Sequence, residues 1–317
     1  MKAVVYDRYG GPEVLSLTDV PVPEPAADQV LIRVRATALN LSDWESLRGT
    51  PFYSRIGGLR APRRGILGSD IAGVIEAVGS SVAGFAPGDA VYSDNLVHKG
   101  GFAEYAVAPA STVAHKPPEL GFAEAAALPQ SGAIALQGTA GITSGMSVLI
   151  NGAGGGTGAF AIQLARRAGA RVTGVDNAGK LDFLRALGAD EVLDYRVTDF
   201  TRTGPYDRIL DLVALRSVFA YRRALARGGR YRCVGGTTRA VLRTATAGAL
   251  LGLVTGRSLG VLVVKEGPAH FEPLARMCVA GKIDIHLDRT FPLEEAPLAL
   301  AYVGAGRALG KVVVEID

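Results

Sequence analysis

The chain has 317 residues, of which 48% are hydrophobic and 20% are charged, a composition typical of a globular protein with a sizeable core. The net charge of +4 comes from basic residues that occur as short pairs, and aromatic residues make up only 7% of the chain. A nucleic-acid interface concentrates lysine and arginine among stacking aromatics, so this distribution disfavours one.

The first residues of the chain, MKAVVY at 1–6, predict a strand and lack the apolar core of a signal peptide. The two cysteines, Cys233 and Cys278, are far apart in the sequence. We therefore expect a cytoplasmic protein. The most apolar stretch, residues 245–264, is interrupted by glycines and Arg257, so we expect a buried helix followed by a strand and no membrane span.

Two patterns of hydrophobic residues divide the chain. Up to about Lys116, short apolar runs such as residues 30–34 and 71–75 are bounded by Pro, Gly and Asp, which predicts a mostly antiparallel, barrel-like domain. From Val148, continuous Val, Ile and Leu strands alternate with helical segments, the pattern of a doubly wound parallel sheet. Strand patterns return after Lys282. We predict one domain from residues 1–116 and 283–317, and a second from residues 117–282.

The predicted second domain contains six strands with helices between them. The strands are expected at residues 148–150, 171–175, 191–193, 208–212, 230–234 and 259–264, and the helices at residues 158–168, 180–187 and 216–226. In such a sheet the ligand crevice lies at the carboxyl ends of the strands.

A glycine-rich run, NGAGGGTG at residues 151–158, follows the first of these strands and opens a helix. There, glycines let backbone N–H groups reach a pyrophosphate at the positive end of the helix. The strict GxGxxG spacing fails at Thr157, and the run fits GxxGxxG through Gly152, Gly155 and Gly158. The alternative is a turn that only permits close helix packing.

Asp176 ends the second strand, 18 residues after Gly158. This is close to the spacing of about 20 residues expected for an acid that accepts from the adenosine ribose hydroxyls. Such an aspartate repels a 2′-phosphate and favours NAD, whereas the nearby Lys180 favours NADP. Asp176 is alternatively a helix cap, and Lys180 a solvated residue of the first turn. The sequence therefore predicts NADPH or NADH and leaves the preference open.

With these features in place, the whole chain resembles the medium-chain dehydrogenase/reductase superfamily, in its zinc-independent quinone oxidoreductase-like branch of quinone and enone reductases. Besides the glycine turn, the matching segments are GGPEVL at residues 10–15, NLSD at 40–43, LGSDIAGVI at 67–75, GDAV at 88–91, GFAEY at 101–105, AAALP at 125–129, LGAD at 187–190, VGG at 234–236 and GKVV at 310–313.

The resemblance implies an α/β protein with a GroES-like β-barrel domain and a Rossmann domain, and a cofactor in the cleft between them. The residues implied to bind the cofactor fall into four groups. They are Gly152, Gly155, Gly156 and Thr157 at the pyrophosphate, Asp176, Lys180 and Tyr195 at the adenosine, Val234, Gly235 and Gly236 at the nicotinamide, and Lys311 nearby. Ile134 stands where many relatives carry a threonine, which weakens the placement of the nicotinamide.

The same resemblance bears on zinc. The metal-dependent branch uses thiolate and imidazole ligands, and the matching places here hold Asn40, Ser69 with Asp70, and Ser131. The four histidines of the chain have no ligand spacing. We expect no metal site.

Without a Lewis acid, reduction of a conjugated carbonyl compound or a quinone is favoured over alcohol oxidation, because hydrogen-bond donors can stabilise the developing enolate or phenolate. The resemblance places Tyr53 near the position at which related reductases carry a tyrosine, and it matches Ser42 to the relay hydroxyl of the zinc branch. Asn40 and Asp43 are the other candidate catalytic residues. Tyr53 is alternatively an ordinary rim residue, and Asn40 and Asp43 cap a turn.

Two further functions stay open: a zinc-free alcohol dehydrogenase, and a non-catalytic module that responds to cofactor binding. We also expect a homodimer. The apolar edge strand predicted at residues 259–264 gains by pairing with its copy in a second subunit, unless residues 240–258 cover it.

Overall fold

The computed structural model describes residues 1–56, 58–63 and 65–317. The chain divides into two compact units. Unit 1 consists of Met1–Ala133 and Lys265–Asp317, and unit 2 of Ile134–Val264. The predicted domain boundaries lie at 116 and 282. Residues 117–133 and 265–282, predicted as part of the second domain, group with unit 1, partly because helix α2 (Phe122–Ala126) packs on the sheet of that unit. The domain assignment itself stays a prediction.

Unit 1 is built on a mixed, mainly antiparallel sheet of seven strands. Its centre is an antiparallel pair of long strands, β3 (Gln29–Ala38) and β4 (Asp70–Val78), with the shorter strands β5 and β7 on one side and β15 and β14 on the other, while β6 pairs with β3. The strands of this sheet are β3 (Gln29–Ala38), β4 (Asp70–Val78), β5 (Ala90–Asp94), β6 (Tyr105–Pro109), β7 (Val113–His115), β14 (Leu287–Pro292) and β15 (Lys311–Glu315).

The remaining elements of unit 1 surround this sheet. A separate hairpin joins β1 (Lys2–Val5) to β2 (Ser16–Asp19). The helices are α1 (Leu41–Arg48), α2, α3 (Pro129–Gly138), which continues into unit 2, α9 (Glu272–Val279) and α10 (Ala296–Gly304). Alternation along β3 places Val30, Ile32 and Val34 in the core of this unit.

Unit 2 is a parallel sheet of six strands in the order β10-β9-β8-β11-β12-β13, which confirms the predicted doubly wound architecture. Its strands are β8 (Ser147–Asn151), β9 (Arg171–Asp176), β10 (Glu191–Asp194), β11 (Tyr206–Asp211), β12 (Leu225–Cys233) and β13 (Ser258–Val261). Its helices are α4 (Gly156–Arg167), α5 (Leu181–Ala186), α6 (Val218–Ala224), α7 (Thr238–Arg243) and α8 (Ala249–Thr255).

Several predicted elements differ from the structure; strand β12, for example, begins at Leu225 and not at residue 230. Helix α6 begins later than residue 216, because Ser217 caps it by accepting a hydrogen bond from the Ala220 N–H. The helix expected to be buried within residues 245–264 is partly exposed, since the Leu250 side chain is 67% exposed. The edge strand predicted to reach Val264 ends at Val261, and Val263 is 83% exposed.

Across the described ranges, no helix has both the length and the apolar character needed to cross a bilayer. The cytoplasmic location stays a prediction.

Candidate active site

The glycine-rich turn joins β8 to α4, and each of its motif glycines meets a different constraint. Gly152 has a φ of 81°, in the left-handed region. A Cβ on Gly158 would lie 2.5 Å from the backbone of Ala153, so this glycine permits close packing of helix on turn. A Cβ on Gly155 would meet nothing closer than 3.9 Å. The turn therefore has tight packing behind it and open space at Gly155, where α4 begins.

Asp176 and Lys180 pack against this turn as a buried pair. The Asp176 carboxylate accepts hydrogen bonds from the N–H of Gly154 at 2.9 Å and from the backbone and side-chain nitrogens of Asn177 at 2.9 and 3.0 Å. The Lys180 Nζ lies 3.9 Å from the carboxylate. The two residues that pointed to opposite cofactors are thus neighbours, and the aspartate is already engaged by its own turn.

Tyr195 follows β10 and lies beside this pair, because its N–H donates to the Asp176 carbonyl at 3.2 Å. The Arg196 guanidinium stands 5.7 Å from the Tyr195 ring, and Arg216 donates to the Tyr195 carbonyl at 3.5 Å. Both arginines are exposed. The carboxyl ends of β9 and β10 are therefore flanked by positive charge.

Asp211 holds together the carboxyl ends of β8, β11 and β12. Its buried carboxylate accepts hydrogen bonds from Asn151 Nδ2 at 2.8 Å, from the Val213 and Ala214 N–H groups, and from the Tyr231 hydroxyl at 2.9 Å. Predicted site residues 234–236 follow at once, since the Val234 N–H donates to the Asp211 carbonyl at 3.0 Å. This carboxylate positions the strand ends, and no sequence motif pointed to it.

A second group of polar residues is buried within unit 1, at the amino end of α1. The Asn40 N–H donates to Asp43 Oδ2 at 3.0 Å, and Asn40 Nδ2 donates to Ser69 Oγ at 3.2 Å and to Asp70 Oδ2 at 2.9 Å. The Asp43 carboxylate is fully buried and pairs with Lys99 at 3.3 Å. These contacts suit Asn40 and Asp43 to a positioning role.

Lys311 points its ammonium into the centre of this group. Its Nζ lies 2.8 Å from Asn40 Oδ1, and 3.3 Å from Asp70 Oδ2, from Ser131 Oγ and from the Leu39 carbonyl. The residue is 2% exposed, and all four contacts are within unit 1. We call these four oxygens the ammonium cage. Three of them, from Asn40, Asp70 and Ser131, come from the places that matched metal ligands in the resemblance, and the fourth is the Leu39 carbonyl.

Tyr53 and Ser42, the other two predicted catalytic residues, each contact a residue that the sequence did not single out. The Tyr53 hydroxyl donates to Glu45 Oε2 at 3.4 Å. Burial raises the pKa of Glu45 to about 7, against the opposing effects of the Tyr53 hydrogen bond and the Lys99 charge. The Ser42 hydroxyl donates to Gln130 Oε1 at 2.9 Å.

The side-chain NH2 group of Gln130 remains unpaired after these contacts. Its residue is 7% exposed, and its Nε2 is buried without a hydrogen-bond partner among the described residues. Buried donors are normally paired, so an unpaired one beside candidate catalytic residues marks a place where a ligand oxygen would be stabilised.

Two family models match the chain. The alcohol dehydrogenase GroES-like domain matches residues 26–118, and the zinc-binding dehydrogenase model matches residues 187–314. The chain is 32% identical to a chloroplastic quinone oxidoreductase of Triphysaria versicolor, over 99% of this chain and 98% of the relative. It is 35% identical to the 2-methylene-furan-3-one reductase of Solanum lycopersicum, over 99% of this chain and 79% of the relative.

Among solved structures, the quinone oxidoreductase of Coxiella burnetii superposes with a TM-score of 0.90 at 31% identity, covering 100% of this chain and 99% of that one. The chain belongs to the medium-chain dehydrogenase/reductase superfamily, in its quinone oxidoreductase-like branch. The resemblance inferred from the sequence motifs is confirmed, and so are the predicted GroES-like domain and the predicted Rossmann domain.

Members of this superfamily use a nicotinamide cofactor, and the glycine turn fits its pyrophosphate. The first N–H groups of an α-helix have no partner within the helix, and the open space at Gly155 lies where α4 begins. The residues matched to metal ligands fit zinc poorly, since they offer amide, hydroxyl and carboxylate oxygens around an ammonium. Within the described part of the chain, no cluster of three His, Cys, Asp or Glu side chains is arranged to hold a metal.

Proposed function

We propose that the protein is a reductase of conjugated carbonyl compounds or quinones that uses NADPH and works without zinc. The proposal that the protein works without zinc rests on the ammonium cage. A cation already neutralises Asp70 there, and thiolate and imidazole are missing from the donor set. The names of the two curated relatives support quinones and enones as the substrate class.

The reduction needs a hydride and a place for the negative charge that forms on the substrate oxygen. A bound reduced nicotinamide supplies the hydride. Tyr53 is the proposed donor to the oxygen, and Glu45, with a pKa near 7, returns a proton to the phenol from its protonated form. Gln130 Nε2 is proposed as a second donor, held in place by the Ser42 hydroxyl.

The preference for NADPH rests on the neighbourhood of Asp176. Its carboxylate already accepts three hydrogen bonds, which reduces its capacity to bind ribose hydroxyls. Lys180, Arg196 and Arg216 lie close to the same strand ends and would attract a 2′-phosphate. The positive charge favours the phosphorylated cofactor.

We also propose a homodimer through the β13 edge. This strand lies at the end of the sheet order and pairs with β12, so its other edge is available to a second copy. The segment that contains α7 and α8 packs on β13 and is the alternative covering of this strand. Light scattering at micromolar concentration tests the proposal, and a monomer at that concentration would contradict it.

The catalytic proposal is tested by following the loss of reduced-nicotinamide absorbance with NADPH or NADH and a panel of enones, quinones, aldehydes and alcohols, with and without a chelator. We expect turnover with enones or quinones, unchanged by the chelator and faster with NADPH. Alcohol oxidation alone would favour a zinc-free alcohol dehydrogenase. Tight NADPH binding without turnover would favour the non-catalytic module.

A further inference from the structure

Three arginines share one face of the unit 2 sheet, away from the glycine turn. Along β12 the buried side chains of Tyr231 and Cys233 belong to the hydrophobic core, so Arg230 and Arg232 project from the opposite face. Arg208 on β11 is the register neighbour of Arg230 and lies on the same face. The sheet therefore brings three guanidinium groups to one place.

These arginines line a cavity of about 90 Å³ that lies entirely within unit 2. Val148, Ile150 and Leu210 form an apolar floor on the sheet, and Gln137 and Thr139 contribute polar groups from the end of α3 and the residue that follows it. Arg230 is exposed and Arg208 is half-buried, so the cavity opens to solvent at Arg230. The space is large enough for several waters or one tetrahedral oxyanion.

The positive charge in this cavity is offset only in part, by the charge of Asp207, which acts on Arg208. No salt bridge to any of the three arginines is found in the described part of the chain, whereas Arg166, Arg185, Arg202 and Arg223 of the same unit all have acidic partners. Asp207, next to Arg208 in the chain, instead accepts a hydrogen bond from the Ser147 N–H at 2.9 Å.

The hydrogen bonds found for these side chains go to neutral oxygens. Arg208 donates to the Asp207 carbonyl at 3.0 Å, and Arg232 donates to the Tyr231 carbonyl at 2.9 Å and to Ser258 Oγ at 3.1 Å. The Arg208 Nε is buried and has no partner among the described residues. Burial, followed by repulsion between neighbouring arginines, lowers the pKa of both Arg208 and Arg232. The arrangement has spare donors and costs free energy without a counter-ion.

We propose that Arg208, Arg230 and Arg232 form a binding site for a phosphate group. Guanidinium groups present planar forks of N–H donors that match phosphate oxygens, and three of them around a half-enclosed space favour a multiply charged oxyanion over chloride. The apolar floor strengthens these contacts by lowering the local dielectric constant.

This site is separate from the proposed cofactor site. Arg208 pairs in register with Val148, and Gly152 follows four residues later, about 13 Å along the strand direction. A phosphate held by the three arginines would therefore bind together with the cofactor, and it would stabilise unit 2 through linkage. The phosphate has two candidate sources, free inorganic phosphate and the phosphate monoester of a nucleotide.

The test measures phosphate binding by calorimetry, and Tm by thermal unfolding, in inorganic phosphate against chloride at matched ionic strength, with and without NADPH. Because phosphate also suits the glycine turn, the variants decide the assignment. Arg230→Gln alters an exposed side chain, and Arg185→Gln is the matched control, an ion-paired surface arginine of the same unit. We expect saturable binding that persists with NADPH, weakens at least 10-fold in Arg230→Gln and is unchanged in Arg185→Gln.

A second variant separates ligand binding from a purely structural role. Arg208→Met keeps an apolar side chain over the floor and removes the unpaired buried donor. Its Tm in chloride should equal or exceed that of the parent chain, and phosphate should no longer raise its Tm. The proposal would be overturned if phosphate raised the Tm of the parent chain and of Arg230→Gln equally. It would also be overturned if phosphate raised the Tm of neither above its value in chloride. Adenosine monophosphate binding more tightly than inorganic phosphate identifies a nucleotide as the source, and the reverse order identifies the free ion.

Discussion

The Tyr53 hydroxyl lies 3.4 Å from Glu45 Oε2, which joins a phenol to a half-buried carboxyl group whose pKa is raised to about 7. The carboxyl group is protonated below that pH and carries its proton toward the phenol, while above it the ionised group only accepts. If this pair supplies the proton, kcat falls as the pH rises through about 7.

Tyr53→Phe should lower kcat for enone reduction by about 100-fold with little change in NADPH affinity, because one general acid contributes on the order of 10²–10⁴ to a rate. Glu45→Gln should flatten the pH profile of kcat near neutrality. Tyr302→Phe is the matched control, since Tyr302 also donates to a carboxylate of unit 1, Asp288, at 2.9 Å. A pH profile of Glu45→Gln identical to that of the parent chain would count against the pair.

The glycine turn gives a matched pair of substitutions. Gly155→Ala places a Cβ in open space, so the free energy of unfolding should change by only a few tenths of a kcal/mol, while NADPH affinity falls because the methyl group occupies the approach to α4. Gly158→Ala meets the Ala153 backbone at 2.5 Å and should destabilise the fold by at least about 1 kcal/mol. Urea unfolding and cofactor titration measure the two effects. Unchanged NADPH affinity in Gly155→Ala would remove the turn from the cofactor site.

Lys180 should set the cofactor preference. Lys180→Gln removes a cation beside Asp176, and we expect KM for NADPH to rise about 10-fold, the equivalent of a charge-assisted hydrogen bond of roughly 1.5 kcal/mol, with KM for NADH much less affected. Steady-state kinetics with both cofactors give the ratio of the two KM values. Arg171→Gln, at the opposite end of β9, serves as the control. An equal rise for both cofactors would point to a structural effect.

Lys311 and Asp70 should depend on one another. Lys311→Met leaves the Asp70 carboxylate buried without its cation, and we expect a loss of about 3–5 kcal/mol in the free energy of unfolding. The double variant Lys311→Met with Asp70→Asn should recover part of that loss. Urea unfolding of both single variants and the double variant gives the interaction free energy between Lys311 and Asp70. Additive losses would mean that the ion pair carries no interaction of its own.

Asp94 provides a stability test that depends on pH. It is buried opposite Asp70 on the neighbouring strand, and burial, followed by the charge of Asp70, raises its pKa to about 8. The unfolded chain ionises this group at lower pH than the folded chain does, so Asp94 costs stability increasingly from about pH 4 to pH 8. Asp94→Asn should therefore increase the free energy of unfolding at pH 8 by at least about 1 kcal/mol, measured as a rise in Tm, and should have little effect near pH 4. Equal shifts at both pH values would contradict this.

The periodicity of apolar residues and the glycine stops were sufficient to predict the six strands of unit 2 and the turn after β8, because those signals are local. The end of β13 at Val261 was not predictable, since apolar residues continue past the last one that pairs. The sequence also identified Asp176 and Lys180 without indicating that they form a pair.

The side-chain contacts within unit 1 could not be predicted from the sequence. Lys311 and Asn40 are 271 residues apart in the sequence, so no spacing rule connects them. Glu45 lies on α1 and Tyr53 on the 3-10 turn at Phe52–Arg55, and only the return of the chain between these elements brings them together. Gln130 became a candidate only when its Nε2 proved to be buried without a partner.

The ammonium cage has a further consequence for the conditions under which the protein folds and works. A metal ion at such a place is in equilibrium with the surrounding solution, and its occupancy changes with metal supply, competing ions and chelating molecules. The cation of the cage is covalently part of β15 and arrives with the last strand of the chain. The charge of Asp70 in the interior of unit 1 is therefore neutralised by a group that the chain itself carries, whichever metals its surroundings provide.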